Sequence, residues 1–267
     1  MTSHDSLSVE ATELRRDILE LAHATQSPHV GGALSCVEIM TTLYAGVMRL
    51  DPWDSRDILI FSKGHCCMAL YASLMRRGLV AKPDIYEYFK DDGIFAGHPQ
   101  RGAAPGIEVS TGALGHGLSI GVGWAHAFAL DDSDRRVFVV MGDGECQEGA
   151  VWEAAMFANG LAGHRLTVIV DANRLQYQVR PSDICTAEPL AEKWRAFGWD
   201  VQECDGHDTS ALLQCLDRDS DAPRVIIAHT TKGMGVRDFE DSPISHGAPI
   251  TDERFATALA DLAGQVA

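Results

Sequence analysis

Gly142-Asp143-Gly144-Glu145-Cys146-Gln147-Glu148-Gly149, followed by Val170-Asp171-Ala172-Asn173-Arg174-Leu175, decides the fold of this chain. Each piece closes a mainly apolar run: Val137-Phe138-Val139-Val140-Met141 for the first, Leu166-Thr167-Val168-Ile169-Val170 for the second. Such runs predict parallel strands buried on both faces. Gly142 and Gly144 permit a sharp turn and let a ligand approach the backbone. Val151, Ala154, Ala155, Ala158 and Leu161 then predict a helix from Ala150 to Leu161. In open α/β sheets, ligands sit beyond the carboxyl ends of the strands. Asp143 and Asn173, 30 residues apart, both fall there. A carboxylate and a neutral amide make an oxygen donor set. It suits a hard cation, Mg²⁺ or Ca²⁺, and leaves positions open for an anionic ligand. A bare Gly-Asp-Gly also makes ordinary tight turns. The spaced asparagine after a second strand is what makes the pair specific.

Composition narrows the setting. The 267 residues are 46% hydrophobic, enough for one large α/β domain with a sizeable core. A net charge of -16, from 38 acidic and 22 basic residues, argues against nucleic acid or an anionic membrane as partner. An anionic substrate must therefore be held locally, by histidines, a metal or helix N-termini. The seven cysteines form no Cys-x-x-Cys pair, and their odd number with the adjacent Cys66-Cys67 argues for reduced thiols in a cytosol. Cys146, beside the cation motif, is expected to be a packing residue. Met1 to Val9 carries no signal-peptide pattern, and no apolar run reaches the ~18 residues of a membrane span.

Along the chain, Ala11, Leu14, Ile18, Leu21 and Ala22 mark a first helix. Ser35-Cys36-Val37-Glu38 has the form of a capping box opening a second, with Val37, Met40, Tyr44 and Val47 on its face. Ile58 to Phe61 is a short strand, and Ser62-Lys63-Gly64-His65 turns into a helix ending near Gly78. Residues 91 to 115 are loop-rich, and a loop that long is usually functional. Gly117, Ser119, Gly121, Gly123, Ala125, Ala127 and Ala129 give a helix of small residues, suited to close approach by another helix or a partner chain. Helix 190–197, strand 199–204, helix 210–216, strand 224–228 and a last helix near 252–263 continue the alternation. Alternation predicts an α/β fold, a parallel sheet with helices on both faces. No stretch resembles an interdomain linker, so residues 1–267 are expected to form one domain.

With these residues in view, the chain resembles the diphosphate-binding domain of transketolase, from about Arg15 to His246. The motifs match in order: Ser62-Lys63-Gly64-His65, Gly97-His98-Pro99, Thr111-Gly112-Ala113-Leu114-Gly115-His116-Gly117, the Gly-Asp-Gly and Asp-x-Asn pieces, Asp205-Gly206-His207-Asp208 and Thr231-Lys232-Gly233. The resemblance implies the thiamine diphosphate-binding form of the α/β fold. It implies that Asp143, Asn173 and the Leu175 carbonyl bind the Mg²⁺ or Ca²⁺ that holds the diphosphate, in the turn formed by Gly142 and Gly144. It places His65 and His246 against diphosphate oxygens and the reacting sugar, and His29 and His98 at the donor's first two hydroxyls. The backbone of Gly112, Ala113, Leu114 and Gly115 would receive the aminopyrimidine end. Glu148 would link across a subunit interface to the carboxylate that activates the cofactor. The implied activity is transfer of a two-carbon ketol unit from a ketose to an aldehyde.

The four histidines make chemical sense apart from the family. Breaking a C–C bond beside a carbonyl needs protons to leave and return on hydroxyls near neutral pH, which suits imidazole. His4, His23, His126, His164, His207 and His229 are expected to be surface, core or secondary; His116 stands where the family usually has glutamine. Lys232 is either a phosphate or cofactor contact or an exposed loop lysine.

Two departures bear on the substrate. Ser27-Pro28-His29-Val30-Gly31-Gly32 differs from the family's usual first motif around a retained histidine and two glycines. Gln176 to Arg180 replaces a segment that usually carries glycine. A larger departure is that only about thirty residues follow Lys232-Gly233. The pyrimidine and C-terminal domains of the family are then missing. The chain is expected to be the first subunit of a split enzyme, inactive without a pyrimidine-domain partner. The expected stoichiometry is α2β2, with the sugar-phosphate clamp on that partner. Competing readings are the α-chain of a 2-oxoacid dehydrogenase, a synthase-type relative, or a non-catalytic cofactor-binding subunit. The histidine loops argue against the first, and the metal carboxylate against the last.

Overall fold

The computed structural model describes residues 4–161, 163–180, 183–185 and 187–265. Met1 to Ser3 and the side chain of His4 lie outside what is described. Among the described residues, five parallel strands form one sheet: β1 (Ile58–Phe61), β2 (Val137–Gly142), β3 (Leu166–Ala172), β4 (Asp200–Asp205) and β5 (Arg224–His229), ordered β1-β2-β3-β5-β4. β2 and β3 pair with Val139 opposite Val168 and Gly142 opposite Asp171. The two turns that hold the cation motif therefore open side by side at the same edge.

Both faces of the sheet are covered, which is why these strands are apolar throughout rather than alternating. On one face, Leu59, Phe61, Phe138, Val140, Ile169 and Ile226 pack into a core with α1 (His4–Thr25), α2 (Val30–Ser35), α3 (Val37–Thr41) and α4 (Cys67–Arg76). A short α5 (Lys82–Ile85) follows α4. On the other face, Ile58, Ile60, Val139, Val168 and Ile227 meet α6 (His116–Leu130), α7 (Gly149–Ala158) and α8 (Leu190–Ala196). α9 (Thr209–Leu216) is capped by Asp208, and α10 (Asp252–Gln265) returns to α1, where His23 stacks on Phe255 at 4.3 Å. Residues 86–115 carry no helix or strand, which includes the loop-rich 91–115 expected from the sequence.

Three sequence expectations change. Ser35 does not cap a helix. Its hydroxyl has the Asp171 carboxylate at 2.6 Å and the Gly32 carbonyl at 3.0 Å within reach of its one proton, and the chain forms two short helices broken at Cys36. Ser35 closes α2, and Cys36 stands at the N-cap position of α3 without a side-chain bond. Glu38, the other half of the expected box, bonds to Arg15 and His207 instead. The helix after Gly149 stops at Ala158 rather than Leu161, because Gly160 takes φ 98°. The small residues of α6 serve two purposes. Gly117, Gly121 and Ala125 are buried, and a Cβ on Gly121 would stand 2.6 Å from Val139. Ser119, Gly123 and Ala127 face outward and are exposed.

Candidate active site

The carboxyl edge of β1, β2 and β3 opens onto a cavity of about 390 Å³. Asp143, half-buried, stands on its floor where β2 ends. Its oxygens accept one amide each, Gly144 N–H and Arg174 N–H, both at 2.8 Å. Each oxygen therefore keeps lone-pair capacity. Burial raises this carboxyl above its usual range, against the pull of the Arg174 amide. Asn173 is oriented from behind: its amide nitrogen donates to Asp171 Oδ2 at 3.1 Å and to Ser35 at 3.3 Å, and its oxygen accepts from Leu175 N–H. Arg174 and Tyr177 have φ of 60° and 55°, and His29 has 72°. Three non-glycine residues in the left-handed region around one cavity are strained backbone held by their surroundings, a frequent mark of functional sites.

Behind the floor lies a buried ion pair, Lys63 with Asp171, both sealed from solvent. Burial alone would raise the Asp171 carboxyl, but the Lys63 ammonium holds it below its usual range, with help from Ser35 and Thr230. Glu145 is a second buried carboxylate. It accepts from Ser62, from Gly115 N–H at 2.9 Å and from Gly142 N–H at 3.3 Å. Burial pushes its carboxyl up.

The four expected histidines come from four separate loops and converge. His29 lies 4.5 Å from His246 and 5.6 Å from His65 between ring centroids, and His65 lies 6.0 Å from His246. His29 N–H donates to the His246 carbonyl at 2.8 Å, tying the first loop to the last. His98 is more open and covers Gly112 so closely that a Cβ there would meet its ring at 2.7 Å. Burial, then the charges of neighbouring rings, lowers His29 to about 4. Burial, then Lys63 and Lys232, lowers His65 to about 4. Burial, then Lys232, lowers His246 to about 3. His98 is lowered by burial and by His65. At neutral pH these are free bases, able to accept or share a hydroxyl proton. The Nδ1 atom of His29 is buried with no hydrogen-bond partner among the described residues.

Lys232 is not an exposed loop lysine. It is 3% exposed, and its ammonium contacts the Tyr177 carbonyl at 2.9 Å, His246 Nδ1 at 3.2 Å and the Leu175 carbonyl at 3.4 Å. Tyr177 packs edge-on against His246 at 4.4 Å, at the mouth of the cavity. Gly112 and Leu114 line the cavity, whereas Ala113 and Gly115 stand outside its lining and the Gly115 amide is taken by Glu145. Glu148 is exposed at the start of α7, against Gly115 and away from the cavity. Lys63, Glu145 and Asp171 had no role predicted from the sequence. One signal was available for Asp171: an acid inside an apolar strand requires a buried partner.

These oxygens fit a hard cation. Among the described residues no cluster of three or more His, Cys, Asp or Glu could hold a metal ion. A cation here would take one carboxylate, the Asn173 amide oxygen and the Leu175 carbonyl, and would keep positions for phosphate. The unpartnered His29 Nδ1 and the apolar walls from Leu114, Leu175 and Tyr177 fit an organic ligand above that floor.

The family described as transketolase, thiamine diphosphate binding domain, matches residues 8–263. The chain belongs to this family. One subunit of the apulose-4-phosphate transketolase of Phocaeicola vulgatus is 37% identical over 270 residues, covering 98% of this chain and 95% of that protein. The 6-deoxy-6-sulfo-D-fructose transketolase subunit SqwG of a Clostridium species is 36% identical over 263 residues, 96% of each chain. Transketolase from Leishmania mexicana has the same fold at a TM-score of 0.87 and 29% identity, covering 97% of this chain and 41% of that one. The chain thus spans about two-fifths of the solved transketolase and nearly the full length of the subunit relatives.

Proposed function

We propose that this chain is the diphosphate-binding subunit of a two-chain transketolase, transferring a two-carbon ketol unit from a ketose to an aldehyde. The carrying observation is four free-base imidazoles gathered over an oxygen-lined floor. Subunit relatives of the same length support the two-chain form. When bound, thiamine diphosphate supplies a nucleophilic carbon and an electron sink for C–C cleavage.

The chain's own residues then have distinct tasks. Asp143, Asn173 and the Leu175 carbonyl hold Mg²⁺ or Ca²⁺, and Gly142 and Gly144 keep the turn open beside it. His65 and His246 face the diphosphate oxygens and the sugar, while His29 and His98 take and return protons on the donor's first hydroxyls. Gly112 to Leu114 would border the aminopyrimidine, while the Gly115 amide is already held by Glu145. Glu148, turned outward, meets the partner that carries the pyrimidine domain, in an α2β2 assembly with two sites. The two subunit relatives are named for a phosphate- and a sulfonate-bearing sugar, and an anionic ketose is the substrate class we propose. With a net charge of -16, this chain leaves the anion clamp to the partner. Free cysteines among the described residues support a cytosolic setting.

The test is co-expression with the pyrimidine-domain chain. Thiamine diphosphate with Mg²⁺ raises the melting temperature of the complex by mass action. Asp143→Asn removes that rise and ketol transfer together, while folding is kept. Full ketol transfer by the isolated chain overturns the two-chain reading.

A further inference from the structure

Lys232 reaches three groups of the site, so whatever sets its turn also sets the site. The turn is gripped at both ends by residues that do not line the cavity. Thr231 N–H donates to His207 Nε2 at 2.8 Å, and the Met234 carbonyl accepts from Arg15 Nε at 2.9 Å. In between, Gly233 N–H donates to the Gly31 carbonyl at 2.9 Å, two residues beyond His29. A backbone amide donating to Nε2 places the imidazole proton on Nδ1, which therefore donates to Glu38 Oε2 at 3.0 Å. The second oxygen of Glu38 accepts from Arg15 Nη2 at 2.6 Å. Glu38 thus joins the two grips. The side chains of Arg15, Glu38 and His207 are 5%, 9% and 12% exposed.

Buried ion pairs add little net stability compared with apolar packing, but in some proteins they hold a single geometry. We propose that Arg15, Glu38 and His207 are a positioning triad for the Thr231–Met234 turn. The triad keeps Lys232 on the Leu175 and Tyr177 carbonyls and on His246, and so presents both the carbonyl and the imidazole in register to the cofactor. The triad acts through Lys232. This inference rests on the thiamine diphosphate reading of the same site.

The test uses the full chain assembled with its partner and titrated with thiamine diphosphate at fixed Mg²⁺. His207→Leu raises KM for thiamine diphosphate about tenfold and changes kcat by less than about twofold. His207→Gln, whose amide oxygen can take the Thr231 proton, stays within about threefold of the wild type. In a Lys232→Met background, His207→Leu adds less than about twofold, because the two changes remove one interaction. An unchanged KM, or the same tenfold step on top of Lys232→Met, overturns the proposal. Hydrogen exchange on the cofactor-free chain gives a separate readout. In His207→Leu the amides of Thr231 and Gly233 lose protection while those of β2 and β3 keep theirs; unchanged protection at Thr231 overturns the triad. If the wild-type assembly neither binds thiamine diphosphate nor transfers a ketol unit, the functional reading fails, and exchange alone decides whether the triad positions the turn.

Discussion

Asp171, next to last in β3, is sealed from solvent and is kept ionised by Lys63. Removing one member of such a pair strands the other charge. Lys63→Met should cost about 3–5 kcal/mol of stability, and Lys63→Met with Asp171→Leu should recover much of it. Urea unfolding of the three proteins measures both steps; a single variant as stable as the wild type would show that the pair carries no structural weight. The histidines make the opposite kind of demand. His29, His65 and His246 fold with values of about 4, about 4 and about 3, below the ordinary 6.5. The unfolded chain therefore takes up protons first. The stability these rings contribute is complete above about 6.5 and is lost as pH falls through about 4 and 3. Stability should drop between pH 7 and pH 5, and His29→Asn with His246→Asn should flatten that slope. The sequence already pointed to these rings and to Asp143, Asn173 and Leu175, because each sits in a motif of fixed spacing. It did not point to the second carboxylate, Glu145, or to the burial of Lys232, since their partners arrive from loops far along the chain.

Among the elements, the strands were the most legible, since an apolar run between glycine-rich turns has few alternatives. All five occur within about two residues of their expected bounds. The role of Ser35 in α2 was not legible, because its partner is an aspartate 136 residues away. The same helix shows how tightly the elements around the site are fitted. A Cβ on Gly31 would stand 2.3 Å from Ser245 Oγ, next to His246. Gly31→Ala should destabilise the chain by about 1–3 kcal/mol through overpacking. Adding Ser245→Gly, which deletes the clashing side chain, should restore part of the loss. Thermal melts of both variants check this, and no recovery in the double variant would mean that the backbone, not the side chain, sets the limit.

For the whole molecule, the two-sided sheet was foreseeable from strand and helix alternation, whereas the outward surfaces were not. α6 and α7 place Leu130, Met156 and Phe157 at 74%, 63% and 64% exposure, and Glu148 begins α7. Under the two-chain reading, the pyrimidine-domain partner covers this side and reaches Glu148. Phe157→Glu should leave the fold and its circular dichroism unchanged, since the ring is already in water. Under the two-chain reading it should weaken assembly by at least about tenfold, the size expected for losing an aromatic hot spot. Sedimentation of the mixed chains decides; undiminished assembly would place the partner elsewhere.

The bond from the His29 amide to the His246 carbonyl spans most of the polypeptide. On the ribosome, His29 emerges early, and its counterpart emerges only near the end of synthesis. Until then the His29 amide lacks this acceptor, so the first loop and the last cannot yet be tied together. The tie that closes the first loop onto the last is therefore open only to a nearly finished chain.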